Sequence, residues 1–311
     1  MPLLRRKTVL AAEIEATAYT AETLAAADSN FNVFDAVCTP TIENRERAAA
    51  NTFSQRQGSA GPRMGTVTFR TDITGDGAGG VPTWASEFLP ACGWVDSSGT
   101  FSPTSEAPGS NVKTLTIGVY EDGRRKLLRG CMGTFKIVLE TGKDAVIDWT
   151  FTGAWGGVTD VAILAPTYPT DRPLRFANSA TTIAAYAPCV QKLEIDAGNN
   201  VIMRECQNAS DASGYKGAIV TDRKVVGTLD PEAELVATYD CFGKWLASTE
   251  EALAVVMQDS TDQVTLTMPK AEITGIQDGD RNSLRTDPIT FKGNLSSSGD
   301  DEFTIAFAAA P

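Results

Sequence analysis

The sequence predicts a mainly β protein, built as two tandem, related β-sandwich or barrel-like domains, each with a short flanking helix, plus an N-terminal arm and long loops. Three observations carry this prediction: runs of alternating apolar and polar residues, Asp-Gly turns between them, and the return of the same order of segments in the second half. A chain of 311 residues is long enough for two domains that each bury a core. The expected layout is an arm over 1–30, a first domain over 31–155, a linker over 156–190 and a second domain over 191–311.

The first thirty residues mix Ala, Glu and Thr with weak helical periodicity and break at Asp28-Ser29-Asn30, which reads as an arm outside the main core. From Gly65 to Ile73 the residues alternate, with Val67 and Phe69 apolar, as a half-buried strand requires. Pro82 opens a helix whose Trp84, Phe88 and Leu89 recur at one-turn spacing, and Gly93 stops it. Val112 to Tyr120 is a second alternating strand, followed by the turn Glu121-Asp-Gly-Arg124. Gly133 to Glu140 and Ala145 to Gly153 flank another short turn and form a hairpin, so the sheet is an antiparallel meander.

The second half repeats that order at low identity. Lys216 to Val226 answers the strand at Gly65, Leu235 to Trp245 answers the segment ending at Trp94, Val264 to Met268 answers Val112 to Ile117, and Thr290 to Gly293 answers Thr150 to Gly153. The smaller offset of the last pair suggests that the second copy shed the hairpin around Tyr120 to Gly130. Residues 156–190, with Pro166, Pro169, Pro173 and Pro188, read as a linker along the surface.

Composition removes several functions. The net charge is −12, so the surface as a whole repels nucleic acid instead of gripping its phosphates. The charge is uneven: residues 1–155 carry 15 Lys and Arg against 17 Asp and Glu, and 156–311 carry 12 against 22, a net of −2 and −10. Histidine is absent, which removes Ser-His-Asp and Cys-His catalysis and His-ligated zinc. The six cysteines form no CxxC pair, so free, mostly buried thiols are expected. No window reaches the roughly 18 apolar residues of a membrane helix, and no signal peptide fits the N-terminus, so cytoplasmic synthesis is expected.

The remaining motifs are weak as chemistry. Gly75 to Gly80 satisfies G-x-G-x-x-G, but the strand before it carries Arg70 and Asp72, whereas a dinucleotide-binding strand is buried on both faces; a flexible turn is expected. Asp278 to Asn282 resembles a calcium loop without its later bidentate Glu, and reads as a hairpin loop. The acidic pairs Glu250-Glu251 and Asp300-Asp301 point apart and mark no glycosidase, which needs two facing acids. Asn208-Ala-Ser210 matches a glycosylation sequon, without a secretory signal to use it. No catalytic residue, metal site or cofactor is expected. Thr41 to Arg63 differs: it is polar, Arg-rich, and reads as a long loop. Its Arg45, Arg47, Arg56 and Arg63 with Glu43 and Glu46 suit a contact surface, because Arg pairs with carboxylates through a planar fork. Arg124 and Arg125, beside the Asp-Gly turn, join them as candidate subunit contacts.

These stretches together resemble the tail tube (major tail) protein family of siphophages. The resemblance rests on Pro62 to Thr74, Val81-Pro-Thr-Trp84 through Ala91-Cys-Gly-Trp94, Leu115 to Gly123 with Leu128 to Phe135, Trp149 to Gly153, and Ala218 to Val226. It implies a β-sandwich subunit that closes into rings whose inner strands line a lumen. Stacked rings then make a tube through which genomic DNA is ejected into the host, in a fold similar to the tube protein of type VI secretion. It further implies that the partners are other copies of the chain, a tape measure protein and DNA in the lumen, and other tail proteins at the tube ends, with no membrane. The family commonly contacts the next ring through the N-terminal arm and the long loop, which makes Arg45, Arg47, Arg56 and Arg63 the first residues to test. Most members use one domain and six subunits per ring, so a doubled chain suggests three subunits in a pseudo-sixfold ring, the alternative being a hexamer. An acidic lumen would let DNA slide without adhering, and the second half is expected to supply more than its share of that acid. The rival reading of the residues is another two-domain β-sandwich role: capsid decoration, adhesin or carbohydrate-binding module.

Overall fold

A computed structural model describes residues 3–209, 211, 213–297 and 299–311. The first half supplies β1 (Thr8–Ile14), β2 (Val33–Ala48), β3 (Gln55–Asp72), the helix α1 (Thr83–Ala91), β4 (Trp94–Ser97), β5 (Thr100–Pro103), β6 (Leu115–Glu121), β7 (Arg124–Glu140) and β8 (Val146–Asp160). The second supplies β9 (Ala180–Ile183), β10 (Val190–Asp196), β11 (Asn199–Glu205), β12 (Tyr215–Arg223), β13 (Val226–Pro231), the helix α2 (Cys241–Leu246), β14 (Glu250–Gln258), β15 (Asp262–Ile276), β16 (Gly279–Arg281), β17 (Leu284–Thr286), β18 (Ile289–Gly293) and β19 (Thr304–Ala309).

Strand pairing repeats. In the first half the order is β2-β3-β8-β7, with β6 on the other edge of β7 and β1 beyond it; in the second it is β10-β13-β18-β15, with β14 on β15 and β9 beyond it. The strands flanking the helices confirm the correspondence, since α1 follows β3 and α2 follows β13. The ladders also refine the matches expected from sequence. Val264 to Met268 lies in β15 and answers β7, while β14 answers β6, so the second half keeps the hairpin that the offset had suggested was lost. Thr68 opposes Thr150 and Thr228 opposes Thr290, which matches Phe69 with Leu229 and moves the answer to the Gly65 strand into β13. Low identity hid this shift because threonine and glycine recur in many of the strands, among them β3, β8, β13 and β18.

The halves are joined edge to edge. β10 pairs antiparallel with the C-terminal end of β7, and β19 bridges β15 to β5. One hydrophobic cluster runs through both halves, from Leu10 to Phe307. Its densest part surrounds Trp149, whose ring centroid lies 5.4 Å from those of Phe88 and Phe135 and 6.0 Å from that of Phe151. The indole Nε1 donates to Thr71 Oγ1 at 2.8 Å, so this large side chain is buried without an orphaned donor. Truncating such a residue to Ala typically costs about 3–5 kcal/mol.

Several local expectations hold for visible reasons. Asp122 and Gly123 both take positive φ, 45° and 110°, as a two-residue hairpin turn requires. Gly93 takes φ 81° just past α1, where a side chain would be strained. Residues 161–179 form no strand, although Leu174 and Phe176 are buried. Cys38, Cys92, Cys131 and Cys241 are buried free thiols, while Cys189 is exposed. Burial pushes the Cys38 thiol up to about 11 and holds Cys92 and Cys131 well above the usual range, so these act as small apolar groups. Ser210 of the sequon lies outside the described residues.

The N-terminal segment departs from the expected arm. Thr8–Ile14 is a strand paired along its length with β6, and Leu10, Ala11 and Ala12 are buried. Alanine reads as helix former in sequence, but here its small size lets the strand be buried on both faces. The chain then turns at Glu15, which is 2% exposed. Its carboxylate accepts from Tyr19 N (2.7 Å), Gly130 N (2.7 Å), Thr114 Oγ1 (2.5 Å) and Thr116 Oγ1 (3.0 Å), a set of partners that offsets the cost of burying charge.

On α1, burial and the nearby carboxylates of Glu13 and Asp28 push the Glu87 carboxyl up to about 7. A raised folded-state pKa stabilises the protonated form, so this contribution is complete below about 4.5 and is lost as pH rises through about 7. Glu87→Gln should therefore match the parent in thermal stability at pH 5 and exceed it at pH 8, by about 2 kcal/mol or roughly 5 °C, in a pair of calorimetric scans. An equal difference at both pH values would refute the assignment.

Candidate functional surfaces

Three surfaces stand out, and the first is built by β2 and β3. Thr41 to Arg63 is not a structureless loop: β2 and β3 continue through it as a paired hairpin, turning between Ala49 and Ser54 with Asn51 at φ 58°. It carries no buried face, so the alternation that reveals strands elsewhere is missing; backbone pairing orders it, and at its base Arg63 N donates to Ser213 O at 2.9 Å. The exposed stretch of β2 from Ile42 to Ala48 reaches about 23 Å at strand rise. Phe53 at the tip is fully exposed.

The hairpin gathers six of the eight expected contact residues. Glu43, Arg45, Glu46 and Arg47 lie on β2, Arg56 and Arg63 on β3. Arg45 Nε donates to Glu43 Oε1 at 3.4 Å, and Arg47 stands directly opposite Arg56. Like charges facing across a ladder are unfavourable in isolation, so this end of the hairpin carries, among the described residues, an uncompensated positive pair. Arg124 and Arg125 do not join it. Arg124 pairs with Glu121 at 2.6 Å and lines a cleft with Val37, and Arg125 stacks on the Tyr120 ring at 6.0 Å.

The matching hairpin of the second half, β11–β12, is folded back onto the body. Val201, Met203 and Val220 pack against Val112, Met132 and Ala218. Arg129 ties it down: its guanidinium, with the side chain 6% exposed, bonds Asp211 at 2.6 Å and the carbonyls of Lys216 and Tyr215 at 3.0 and 3.2 Å. Although partial burial favours the protonated acid, the Arg129 and Ser213 bonds hold the Asp211 carboxyl down at about 2.

The second surface is the polar face of the sheet β2-β3-β8-β7-β10-β13-β18-β15. Its cross-strand neighbours form a ladder running Arg70, Asp148, Lys136, Asp196, Val226, Lys292 and Glu272 over seven strands, alternating in sign except at Val226. Thr68, Thr150 and Thr134 make the adjacent row. Arg70 grips Asp148 at 2.6 and 3.0 Å. Partial burial would raise Glu194, but the ammonium groups of Lys136 and Lys192 bring it below the usual carboxylate range. The ladder depends on register, so no sequence pattern exposes it.

The third is an apolar patch at α2, where Leu235, Val236, Phe242, Trp245 and Leu246 are all exposed, Leu246 by 91%. The matching α1 is covered instead, with Trp84 against Phe307 of β19 at 5.6 Å.

The glycine-rich turn binds an anion of the chain's own. Asp262, 5% exposed, accepts from Gly77 N at 3.1 Å and Gly79 N at 2.9 Å, so the backbone donors that a phosphate would use are taken. A Cβ at Gly79 would meet the Ala309 backbone at 2.5 Å. Asp278 to Asn282 enters the β16–β17 hairpin, with Asn282 and Ser283 at positive φ. Among the described residues, no group of His, Cys, Asp and Glu is placed to hold a metal ion.

Arg129→Met should free β11–β12 from the body: limited proteolysis should cut between 199 and 223 at least tenfold faster than in the parent, with a loss of about 1–3 kcal/mol from the carbonyls left without a donor. An unchanged digestion pattern would show that the apolar contacts alone hold the hairpin.

No curated protein matches the chain. A family model described as phage tail tube protein matches residues 5–293. A chain that repeats one strand order, leaves a long hairpin and an apolar patch uncovered, and matches that family over nearly its whole length belongs to the phage tail tube proteins.

Proposed function

We propose that this structural tail tube protein assembles as rings of three chains, stacked into a tube whose lumen conducts genomic DNA into the host. The observation that carries this reading is the repeated strand order with its internal edge-to-edge junction. Each half behaves as one tail tube unit, and β7 to β10 joins two of them inside the chain. Three chains then present six units, and their sheets continue one another around the lumen. A heterologous, head-to-tail contact of this kind closes into a ring when its rotation divides the circle. It also removes the open strand edges that would otherwise promote aggregation.

The polar face of the sheet suits the lumen wall. Its second-half strands bring Glu194, Asp196, Asp230 and Glu272 against Lys192 and Lys292, and its first-half strands bring Asp72, Glu140 and Asp148 against Arg70 and Lys136. Intramolecular pairing occupies the cations, so a phosphate backbone finds a mildly repulsive surface. The tape measure protein and DNA would pass without specific binding, and other tail proteins would meet the tube ends. Assembly in the host bacterial cytoplasm and residence in the virion tail follow from this reading. The β2–β3 hairpin reaches far enough to contact the next ring, and the apolar residues at α2 would be covered by a neighbouring chain.

Deleting residues 43–60 and closing the hairpin with a short turn should leave single rings or short stacks in negative-stain images, where the parent forms long tubes. Long tubes from the deletion variant would remove the hairpin from ring stacking.

A further inference from the structure

The eight-stranded sheet ends at β2 on one side and at β15 on the other, beyond which the chain runs on into β16, paired with β17 in a separate two-stranded ladder. Among the described residues, no strand pairs with the outer edge of β2 or of β16. Inside the chain the corresponding edges do meet: Lys192 opposes Glu140, Leu193 opposes Leu139, Glu194 opposes Val138, Ile195 opposes Ile137 and Asp196 opposes Lys136.

The ladders transfer this register from one end of the sheet to the other. In β2 and β10 a bulge occupies the same place: Val33 opposes Thr71 and Cys38 opposes Val67, as Val190 opposes Pro231 and Ile195 opposes Gly227. Asp35 therefore occupies the place of Lys192, and Thr39 that of Asp196. On the other side, Phe135 opposes Trp149 and Val138 opposes Val146, as Ile276 opposes Ile289 and Gly279 opposes Thr286. Arg281 therefore occupies the place of Glu140, and Gln277 that of Lys136.

We infer that β2 of one chain pairs antiparallel with Gln277 to Arg281 of a second copy, with Asp35 opposite Arg281 and Thr39 opposite Gln277. This rests on the ring reading above and adds its register. The seat is open: Phe34 and Val37 are 45% and 44% exposed and line a cleft of about 490 Å³ between the β2 edge and β1. Arg281 is held at its edge by Glu232 at 2.6 Å and Asp230 at 3.6 Å, with further guanidinium donors to offer.

The charges give the junction its specificity. Inside the chain Lys192 stands opposite Glu140, although its ammonium bonds Glu194 and Glu140 bonds Lys143; the proposed external neighbours, Asp35 and Arg281, take the same ladder positions with the signs exchanged, Asp35 at φ 53° in its bulge. Exchanging the edges would place Asp35 against Glu140, or Lys192 against Arg281. Like charges directly opposite are destabilising in a ladder, so each mispairing is penalised while both correct pairings are favoured. First and second halves must then alternate around the ring, which protects the doubled chain from swapped assemblies.

Disulfide trapping tests the register in the full chain with Cys189→Ser and Cys206→Ser to remove the accessible thiols. Thr39→Cys with Gln277→Cys should give covalent dimers and trimers on a non-reducing gel after mild oxidation of assembled material. Thr39→Cys with Arg281→Cys should stay monomeric. Asp35→Asn, which keeps a residue suited to φ 53°, should raise the concentration needed for ring formation severalfold while leaving the melting temperature of the monomer unchanged. Rings that form normally yet cross-link only through the 39/281 pair, or through neither, would overturn the register and leave the tube reading standing. A chain that forms no rings in images at any concentration would overturn both.

Discussion

The strand β7 is the member on which the rest of the architecture depends. Its seventeen residues give one edge room for two partners in succession. One edge carries β8 throughout, while the other carries β6 near Arg124 and β10 near Glu140. That division lets one strand serve two layers: it closes the first half upon itself through β6 and β1, and it hands the sheet on to the second half through β10. Backbone groups along both edges are thereby satisfied, and a single apolar core can run beneath both halves. The same plan in β15, with β14 on one edge and β18 and β19 on the other, leaves the far end of the sheet unpaired.

An unpaired end is costly for a monomer and useful for an assembler. The chain treats its two hairpins differently in keeping with this. β11–β12 is bound to the body by Arg129 and a small apolar cluster, whereas the outer part of β2–β3 has only itself and stands clear with its arginines and Phe53 exposed. The repeat is thus symmetric in strand order and asymmetric in surface.

Much of the β framework was legible in the sequence because each inner strand has one buried face. Val67 and Phe69, or Ile147, Trp149 and Phe151, alternate with polar residues because the sheet covers a core on one side and faces water on the other. Asp122-Gly123 and Gly93 announce themselves through backbone conformations few residues accept. Legibility fails where that one-sided pattern fails. β1, with alanines buried on both faces, reads as helix, and the outer hairpin, exposed on both faces, reads as loop. The candidate contact residues stand out by type in the sequence, and the hairpin brings six of the eight positions together. The charge ladder and the apposition of Lys192 to Glu140 exist only in the register, which no single strand encodes.

The copy number per ring decides whether two units in one chain replace two chains. Native mass spectrometry of rings released from the hairpin-deleted chain, or the rotational symmetry of end-on averages of the tube, reads it directly. Three chains of 33.0 kDa per ring, with threefold symmetry approaching sixfold at low resolution, is the expected result. Six chains per ring would contradict the account, because β7 and β10 would then no longer stand in for a boundary between subunits.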